Sequence, residues 1–376
     1  MKTLARQRRS GNVLVLTMLL MTSLMAMLAF AVDIGYLNVV KTQLQRSADA
    51  AALAATWRLV DENAPTAAVS PAVLITRAEA NAGAYAGLNN SMTIAPELAA
   101  EDVAIGYLAT PESELDTNIV TGANAVRVRV RRDAEQNGAV PLFFARVLGF
   151  NVHSCRAEAT AMVLKSIRGF NAPESGENLD LLPFALDEDT WDDMLAGGGT
   201  DNWRWNNSTK TVTAGSDGIR EVNLFPQSTG APGNRGTVDI GGSNNSTADI
   251  ARQILEGVNS ADLAHHGGKL EFDDNGELEL NGDTGISAGV KDELNSIKGQ
   301  PRVIPVFRSV SGPGNNAQYV IVKFVGIRIC EVQLTGKMSN KRLIIQPANV
   351  WIRGGIPGPP QATTSQYVYS PVWLVR

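Results

Sequence analysis

A chain of 376 residues is longer than one compact core usually organises, so two or more domains are expected. With 44% apolar and 19% charged residues, the composition is that of a folded protein and excludes global disorder. The net charge of −5 is unevenly divided: residues 1–165 hold 15 basic and 14 acidic side chains and the remainder 18 and 24, so neither part offers the clustered basic surface of a nucleic-acid binder. The two cysteines, Cys155 and Cys330, are far apart and lack metal-type spacing. Two partly buried thiols are expected, the alternative being a bridge between domains.

Residues 1–12, MKTLARQRRSGN, form a basic tail with Lys2, Arg6, Arg8 and Arg9 and no acid. VLVLTMLLMTSLMAMLAFAV, Val13 to Val32, follows without a charge. As helix it spans about 30 Å, enough to cross the hydrocarbon core of a lipid bilayer. Its Leu, Val and Phe side chains favour insertion by about −3 to −6 kcal/mol. Four cations before the segment, against Asp33 and then Lys41 after it, place the N-terminus in the cytoplasm and the bulk outside. The competing reading is a signal peptide cut after Ala31, because Ala29-Phe30-Ala31 is an A-x-A triplet. Against it, the apolar run exceeds the roughly 7–15 residues of a signal core.

The helical pattern also continues beyond Val32. Leu37, Val40, Leu44, Ala48, Ala51, Ala55 and Leu59 recur at steps of three or four, with Asn38, Lys41, Gln45 and Asp49 on the other face. Only Gly35 interrupts before Pro65. One helix is expected from about residue 12 to 60, roughly 70 Å long. It reads as an anchor fused to a stalk.

The run RRSGNVLVLTMLLMTSLMAMLAFAVDIGYLNVVKTQLQRSADAAALAAT resembles the N-terminal module of TadG-like (TadE/TadG-type) Flp pilus-assembly proteins. The shared features are the basic start, the Gly-Asn before the apolar run, the Ala-Val-Asp-Ile-Gly exit and the Asp-Ala-Ala-Ala-Leu-Ala stretch. VPLFFARVLGFNVHSCRAEATAMV, Val140 to Val163, resembles the family's following segment. The resemblance implies an envelope protein of the tight-adherence pilus type with one N-terminal anchor. It does not imply prepilin processing: counting from Asn12, the fifth position is Leu16 where a prepilin has Glu.

Ser70-Pro71 reads as cap and first residue of a helix to about Asn89. Val103 to Ala109 is a predicted strand. AVRVRVRR, Ala125 to Arg132, alternates strictly, with Val126, Val128 and Val130 inward and Arg127, Arg129 and Arg131 outward. The arginine row is either a docking surface for acidic lipid, polymer or a partner, or an ordinary solvated strand face. A short helix at Pro141 to Leu148 and a strand at Val152 to Val163 complete a pilin-like module of helix spine against antiparallel sheet, residues 33–165.

Residues 166–190 are polar and glycine-bearing and read as a linker. Residues 191–376 form a strand-rich α+β domain. Within it, Ser246 caps a helix ending near Gly257, LEFDDNGELEL reads as a hairpin over a type I′ Asn275-Gly276 turn, and a helix fits Ile286 to Lys298. Strands are predicted at Val303 to Phe307, Tyr319 to Val325, Ile327 to Leu334, Leu343 to Ile345 and Tyr367 to Val375, with Gly326 as a bend. RGGIPGPPQATTSQ reads as mobile.

No phosphate-binding loop, dinucleotide fingerprint, HExxH or GxSxG motif is present, and no cofactor is expected. His265 and His266 suit a helix C-terminus. Asp239-x-Gly241-x-Ser243 lies between a predicted strand and helix. Some proteins of the resembled family carry a von Willebrand factor A-like domain with Asp-x-Ser-x-Ser there. Asp239 and Ser243, with Asp283 and Thr284, are therefore candidate oxygen ligands for a hard cation, against a plain structural turn. Asp273 and Asp274 raise the same question for calcium, against a hairpin turn. Trp191, Trp203 and Trp205 are either a binding surface or the edge of a small core.

Three functions are carried forward. The leading one is a non-enzymatic, single-pass scaffold of a Flp pilus or related secretion system, in the inner membrane. Its partners would be the lipid bilayer and other pilus-assembly or secretion proteins, with the N-terminal helix a candidate for homo-oligomerisation. The alternatives are an extracytoplasmic adhesive or ligand-binding module linked to calcium, and a hydrolase with an unrecognised site.

Overall fold

The computed structural model describes residues 12–226, 236–242, 246–312, 314–360 and 364–375. In chain order the elements are α1 (Asn12–Trp57), α2 (Pro71–Leu88), β1 (Val103–Gly106), β2 (Ala125–Arg132), β3 (Val140–Pro141), β4 (Val152–His153), β5 (Cys155–Met162), β6 (Ile167–Asn171) and β7 (Leu186–Asp187). They continue as α3 (Glu188–Leu195), β8 (Trp203–Asn206), β9 (Thr211–Ala214), β10 (Val222–Phe225), β11 (Thr237–Val238), α4 (Thr247–Glu256), α5 (Ser260–Ala264), β12 (Lys269–Glu271) and β13 (Leu278–Asp283). The last are α6 (Lys291–Ser296), β14 (Pro301–Ser311), β15 (Ala317–Gln333), β16 (Arg342–Pro347), β17 (Val350–Trp351), β18 (Gly355–Pro357), β19 (Ser365–Gln366), β20 (Val368–Tyr369) and β21 (Trp373–Leu374). The architecture is α+β: a long apolar N-terminal helix, a helix-plus-sheet module and a strand-rich region.

The single expected helix is present as α1, 46 residues without a proline and so about 70 Å long. Gly35 does not break it, and nothing lies within 4 Å of where its Cβ would be. Beyond the exit from the apolar stretch, Val40, Leu44, Ala48, Ala52 and Ala55 are fully buried. In α2 the buried face is a stripe of Ala78, Ala82 and Ala86, spaced by four so that it forms one ridge. Ser47 donates its hydroxyl to the Ala86 carbonyl at 3.0 Å, tying α1 to α2. Pro71 opens α2 as expected, but the Ser70 hydroxyl makes no capping bond.

Against α1 lies an antiparallel sheet in the order β1-β2-β5-β21. Val126, Val128 and Val130 of β2 and Ala159 and Ala161 of β5 are fully buried against the helix. Thr56 donates to the Ala161 carbonyl at 3.2 Å. The fourth strand comes from the far end of the described chain: Trp373 and Leu374 register with Met162 and Ala161.

The strand-rich region is organised by β15, a 17-residue strand. One edge pairs with β14; the other pairs in succession with β13, β19 and β16. Both faces are covered. On one, Phe324 contacts Phe170 and Phe272 with ring centroids 4.9 Å apart in each case. On the other, Val325, Ile327 and Ile329 join Trp191, Ile254 and Leu294 from the helices. A strand buried on both sides loses the apolar–polar alternation of a half-exposed one, which explains why Val320, Ile321 and Val322 and then Phe324 and Val325 follow one another in β15.

Several expectations are corrected here. Gly326 is no bend: β15 runs straight through it, and a Cβ there would lie 2.4 Å from the carbonyl oxygens of both Ala348 and Tyr367. Its role is close backbone approach. The Asn275-Gly276 turn exists, but its flanking strands do not pair with each other. β12 joins β6, while β13 joins β15 and β11. Nor is it type I′, which needs positive φ at both central residues: Gly276 has φ +78 and Asn275 is not among the positive-φ residues. Residues 166–190 are no free linker. Ile167, Phe170, Leu179, Leu181, Leu182 and Phe184 are buried in the two cores, and the longest exposed run is residues 174–178. Gly355–Pro357, read as mobile, pairs with β6 as β18. The Pro141 to Leu148 helix shrinks to a 3₁₀ turn at Ala145–Leu148, because β3 and β4 pair around it.

Candidate functional site

Val13 to Val32 is solvent-exposed along its length, and α1 is long and apolar enough to cross a membrane. Its threonines are satisfied within the helix: Thr17 donates to Val13 O at 2.9 Å and Thr22 to Met18 O at 2.8 Å. That disposes of hydroxyl groups that would be costly in hydrocarbon.

At the end of this segment sits a contact that the sequence does not announce. Asp33 is 3% exposed in a helix whose neighbours are open. Its carboxylate accepts backbone N–H groups from Phe143 (2.8 Å), Phe144 (3.0 Å) and Ala145 (2.7 Å), 110 residues or more downstream. The anion caps the 3₁₀ turn Ala145–Leu148, whose first donors have no partner of their own. Tyr36 adds an edge-to-face contact with Phe143, centroids 5.0 Å apart. The turn thus held presents Phe143, Phe144, Val147, Leu148 and Phe150 outward beside the helix. Asp33 and 143–145 lie in the two stretches that carry the family resemblance; nothing local in either points to the other.

The three candidate docking arginines fare differently. Arg131 is enclosed by carboxylates: Asp102 at 3.0 Å, Glu135 at 3.2 Å and Asp133 at 3.5 Å, with Glu101 alongside. The hydrogen bond to Asp102 is the main reason its guanidinium is held even more firmly protonated than usual. Arg129 pairs with Glu158 at 3.1 Å, both well exposed. Arg127 is half-buried between Ala104 and Thr160 on the neighbouring strands.

The cation candidates do not assemble as expected. Asp239 follows β11, its amide donates to Asn281 O at 2.7 Å, and burial pushes its carboxyl above the ordinary range. Ser243 lies outside the described residues. Asp283 is the register partner of Thr237, and its main-chain carbonyl accepts the Tyr319 hydroxyl at 3.3 Å; Thr284 follows at the strand end. The β11–β13 pair is antiparallel, not the parallel arrangement of a von Willebrand factor A-like sheet. Among the described residues no group of three or more His, Cys, Asp or Glu side chains is placed to hold a metal ion. The Asp273 carboxylate accepts the amides of Asn275 and Glu277, each at 2.9 Å, which holds its pKa down. His265 lies at the C-terminal end of α5. Cys155 and Cys330 are both free.

Trp191 is fully buried. Trp205 lies under the Arg328 guanidinium at 4.3 Å and Trp203 under the Lys298 ammonium at 5.0 Å, so both are spent on internal cation–π contacts.

The two regions meet at a seam. Trp57, the last residue of α1, stacks on Trp351 with centroids 4.4 Å apart and planes 10° from parallel. Asn349 donates to the carbonyls of Asp61 (3.3 Å) and Glu62 (2.9 Å), and Tyr107 donates to Gly358 O at 3.0 Å. A cavity of about 410 Å³ at this seam is lined by Leu59, Tyr107, Lys165, Tyr367 and Tyr369, among others. Burial lowers the Lys165 amine to about 8.

Among the described residues one apolar helix is long enough to span a membrane, and it runs unbroken into a helix-and-sheet module and a larger α+β head. Comparison with known families finds a likeness for the module. Residues 11–68 match the family described as putative Flp pilus-assembly TadE/G-like, and residues 54–161 match the one described as putative Tad-like Flp pilus-assembly. Over residues 11–161 the chain is thus similar to Tad-type Flp pilus-assembly proteins. The matched span ends one residue before the end of β5. No curated protein and no solved structure matches the chain.

Proposed function

We propose that this protein is a non-enzymatic, single-pass scaffold that holds its head at a set distance and angle from the inner membrane during assembly of a Flp pilus or a related secretion machine. Residues 1–12 would face the cytoplasm, Val13 to Val32 would cross the bilayer, and the remainder would lie outside. The carrying observation is the continuity of α1. The same rigid rod that is apolar and exposed at 13–32 is packed on α2 and the sheet from Val40 to Ala55. A helix without a hinge transmits orientation as well as attachment. The family match supports the assembly role, and the four cations before Val13 support the orientation.

The test is crosslinking in intact membranes followed by capture of the full chain. Recovery of other pilus-assembly or secretion components is the expected result. Release of the chain by carbonate washing, with no such components attached, would overturn the scaffold reading. The alternative of a ligand-holding head draws on the seam cavity. Its calcium-linked form predicts a higher melting temperature of the full chain on calcium titration, whereas the scaffold reading predicts none.

A further inference from the structure

The turn that Asp33 holds is greasier than a water-facing loop should be. Val147 is 89% exposed, the highest value for a large apolar side chain among the described residues, and Phe150 is 65% exposed. Between Val140 and Val152 the only formal charge is Arg146, itself exposed. Such a patch on a folded surface marks a contact with something apolar.

Its place in the fold says what that something is. Phe144, Val147 and Leu148 face Met25, Ala29 and Phe30 of α1 across a groove of about 560 Å³. The patch is therefore continuous with the exposed apolar wall of the anchor. Residue 25 lies eight positions before Asp33, or about 12 Å along a helix, close to the roughly 5–10 Å to which interfacial elements sink.

A second, independent feature agrees. A segment entering lipid must satisfy its backbone N–H groups internally. Here Leu142 donates to Asn151 O, Val147 to Phe144 O, Gly149 to Arg146 O and Phe150 to Ala145 O, while the Asp33 carboxylate takes the next three amides after Leu142. Seven of the nine amides from Leu142 to Phe150 thus have an acceptor inside the protein. Arg146 has the long stem and charged tip that reach back to headgroups from a shallow apolar site.

We propose that the turn from Leu142 to Phe150 is a second membrane-inserted element, seated in the acyl-chain boundary of the leaflet from which α1 emerges. With the helix it makes two points of attachment, so the orientation that α1 passes to the head is also fixed in tilt and rotation relative to the bilayer. The occupant of the groove between them is lipid acyl chain. This rests on the anchor reading above, and its test separates the two.

The full chain, with Cys155→Ser to leave only the buried Cys330, is spin-labelled in turn at Leu28→Cys, Val147→Cys and Met338→Cys and reconstituted into phosphatidylcholine–phosphatidylglycerol vesicles. All three sites are exposed, so the labels do not disturb the core. Collision with oxygen, which concentrates in lipid, is compared with collision with a water-soluble nickel chelate. The oxygen-to-nickel ratio at Val147→Cys is expected to stand several-fold above that at Met338→Cys and near that at Leu28→Cys. A ratio at Val147→Cys equal to that at Met338→Cys, with Leu28→Cys lipid-like, overturns the inserted turn and leaves the anchor standing. Shielding of Val147→Cys from both reagents also overturns it, in favour of a second copy or another protein covering the patch. A nickel-accessible Leu28→Cys would instead sink the anchor itself.

Discussion

The helix-plus-sheet module and the strand-rich region are stabilised in opposite ways. The module's core is almost entirely Ala and Val: Ala48, Ala51, Ala52, Ala55, Ala78, Ala82, Ala86, Val126, Val128, Val130, Ala157, Ala159 and Ala161, with no aromatic ring among its buried members. The strand-rich cores are filled by Phe170, Phe272, Phe307, Tyr319, Phe324 and Trp191. Small side chains bring backbones close and make a thin, stiff rod-on-sheet unit. Large ones fill the wide gap between sheet and covering layers. One region should therefore tolerate no added volume and the other no lost volume.

The largest effect expected is at Phe324, fully buried between Phe170 and Phe272. Phe324→Ala should cost about 3–5 kcal/mol, the range for removing a buried aromatic ring. Urea unfolding of the detergent-solubilised chain, followed by tryptophan fluorescence, measures it. A loss no greater than that of a surface substitution would mean the region collapses around the void and is not volume-limited. Next is Asp33→Ala, which strips three backbone donors of one acceptor. A loss of stability smaller than that at Phe324 is expected, because only the Ala145 donor is buried, together with faster proteolysis within residues 142–151. Asp33→Asn, which keeps one acceptor oxygen, should lose less.

These two positions also show what could be read in advance. Local patterns located α1 from its missing prolines, α2 from Pro71, β2 from its Val–Arg alternation and α4 from Ser246, whose hydroxyl oxygen accepts the Asp249 amide at 3.1 Å. Each is written within a few residues of chain. What was not legible joins distant segments. The Asp33 clamp spans 110 residues, and β21 returns to β5 with only Trp373 and Leu374 in register. The apolar residues of 166–190 are too scattered for a periodic signal, yet they fill cores built by strands far downstream. Gly326 looks like a break because the cause of its smallness, the carbonyls of Ala348 and Tyr367, lies elsewhere in sequence. Of the candidate site residues, the exposed apolar stretch from Val13 to Val32 was legible by composition alone. The outward side of the arginines was legible from the alternation, but the carboxylates around Arg131 were not, since Asp102 comes from another segment.

The reciprocal test of the comparison is Ala82→Leu in the thin core. Ala82 is fully buried on the stripe facing α1, and three extra carbons there must push the helices apart. Overpacking of this kind typically costs about 1–3 kcal/mol. Measured by the same unfolding, it should exceed the effect of a similar enlargement on the exposed side of α2, such as Ala84→Leu. Equal effects at the two positions would show that the alanine stripe is not what sets the helix spacing.

The last effect, similar in size but opposite in sign, lies at the seam and should be stabilising. The Lys165 amine borders the cavity between the two regions, and its hydrogen bond to Leu59 O is long at 3.4 Å. Burial lowers its pKa from 10.5 to about 8. A base whose folded pKa is depressed is charged in both states below pH 8, where folding carries the cost of desolvating the ammonium. Between about 8 and 10.5 the unfolded chain holds more protons than the folded one, so stability rises with pH. Above 10.5 both states are neutral and the cost has gone. Lys165→Met, which keeps the stem and removes the charge, should therefore raise stability by about 1–3 kcal/mol at pH 7, and the gain should vanish at pH 10.5 and above. Thermal melts of both proteins at the two pH values give the difference directly, since other titrating groups cancel between them. A gain that stays constant with pH would trace the effect to packing of the methionine. The seam would then be limited by volume, as the thin core is, and not by the charge it encloses.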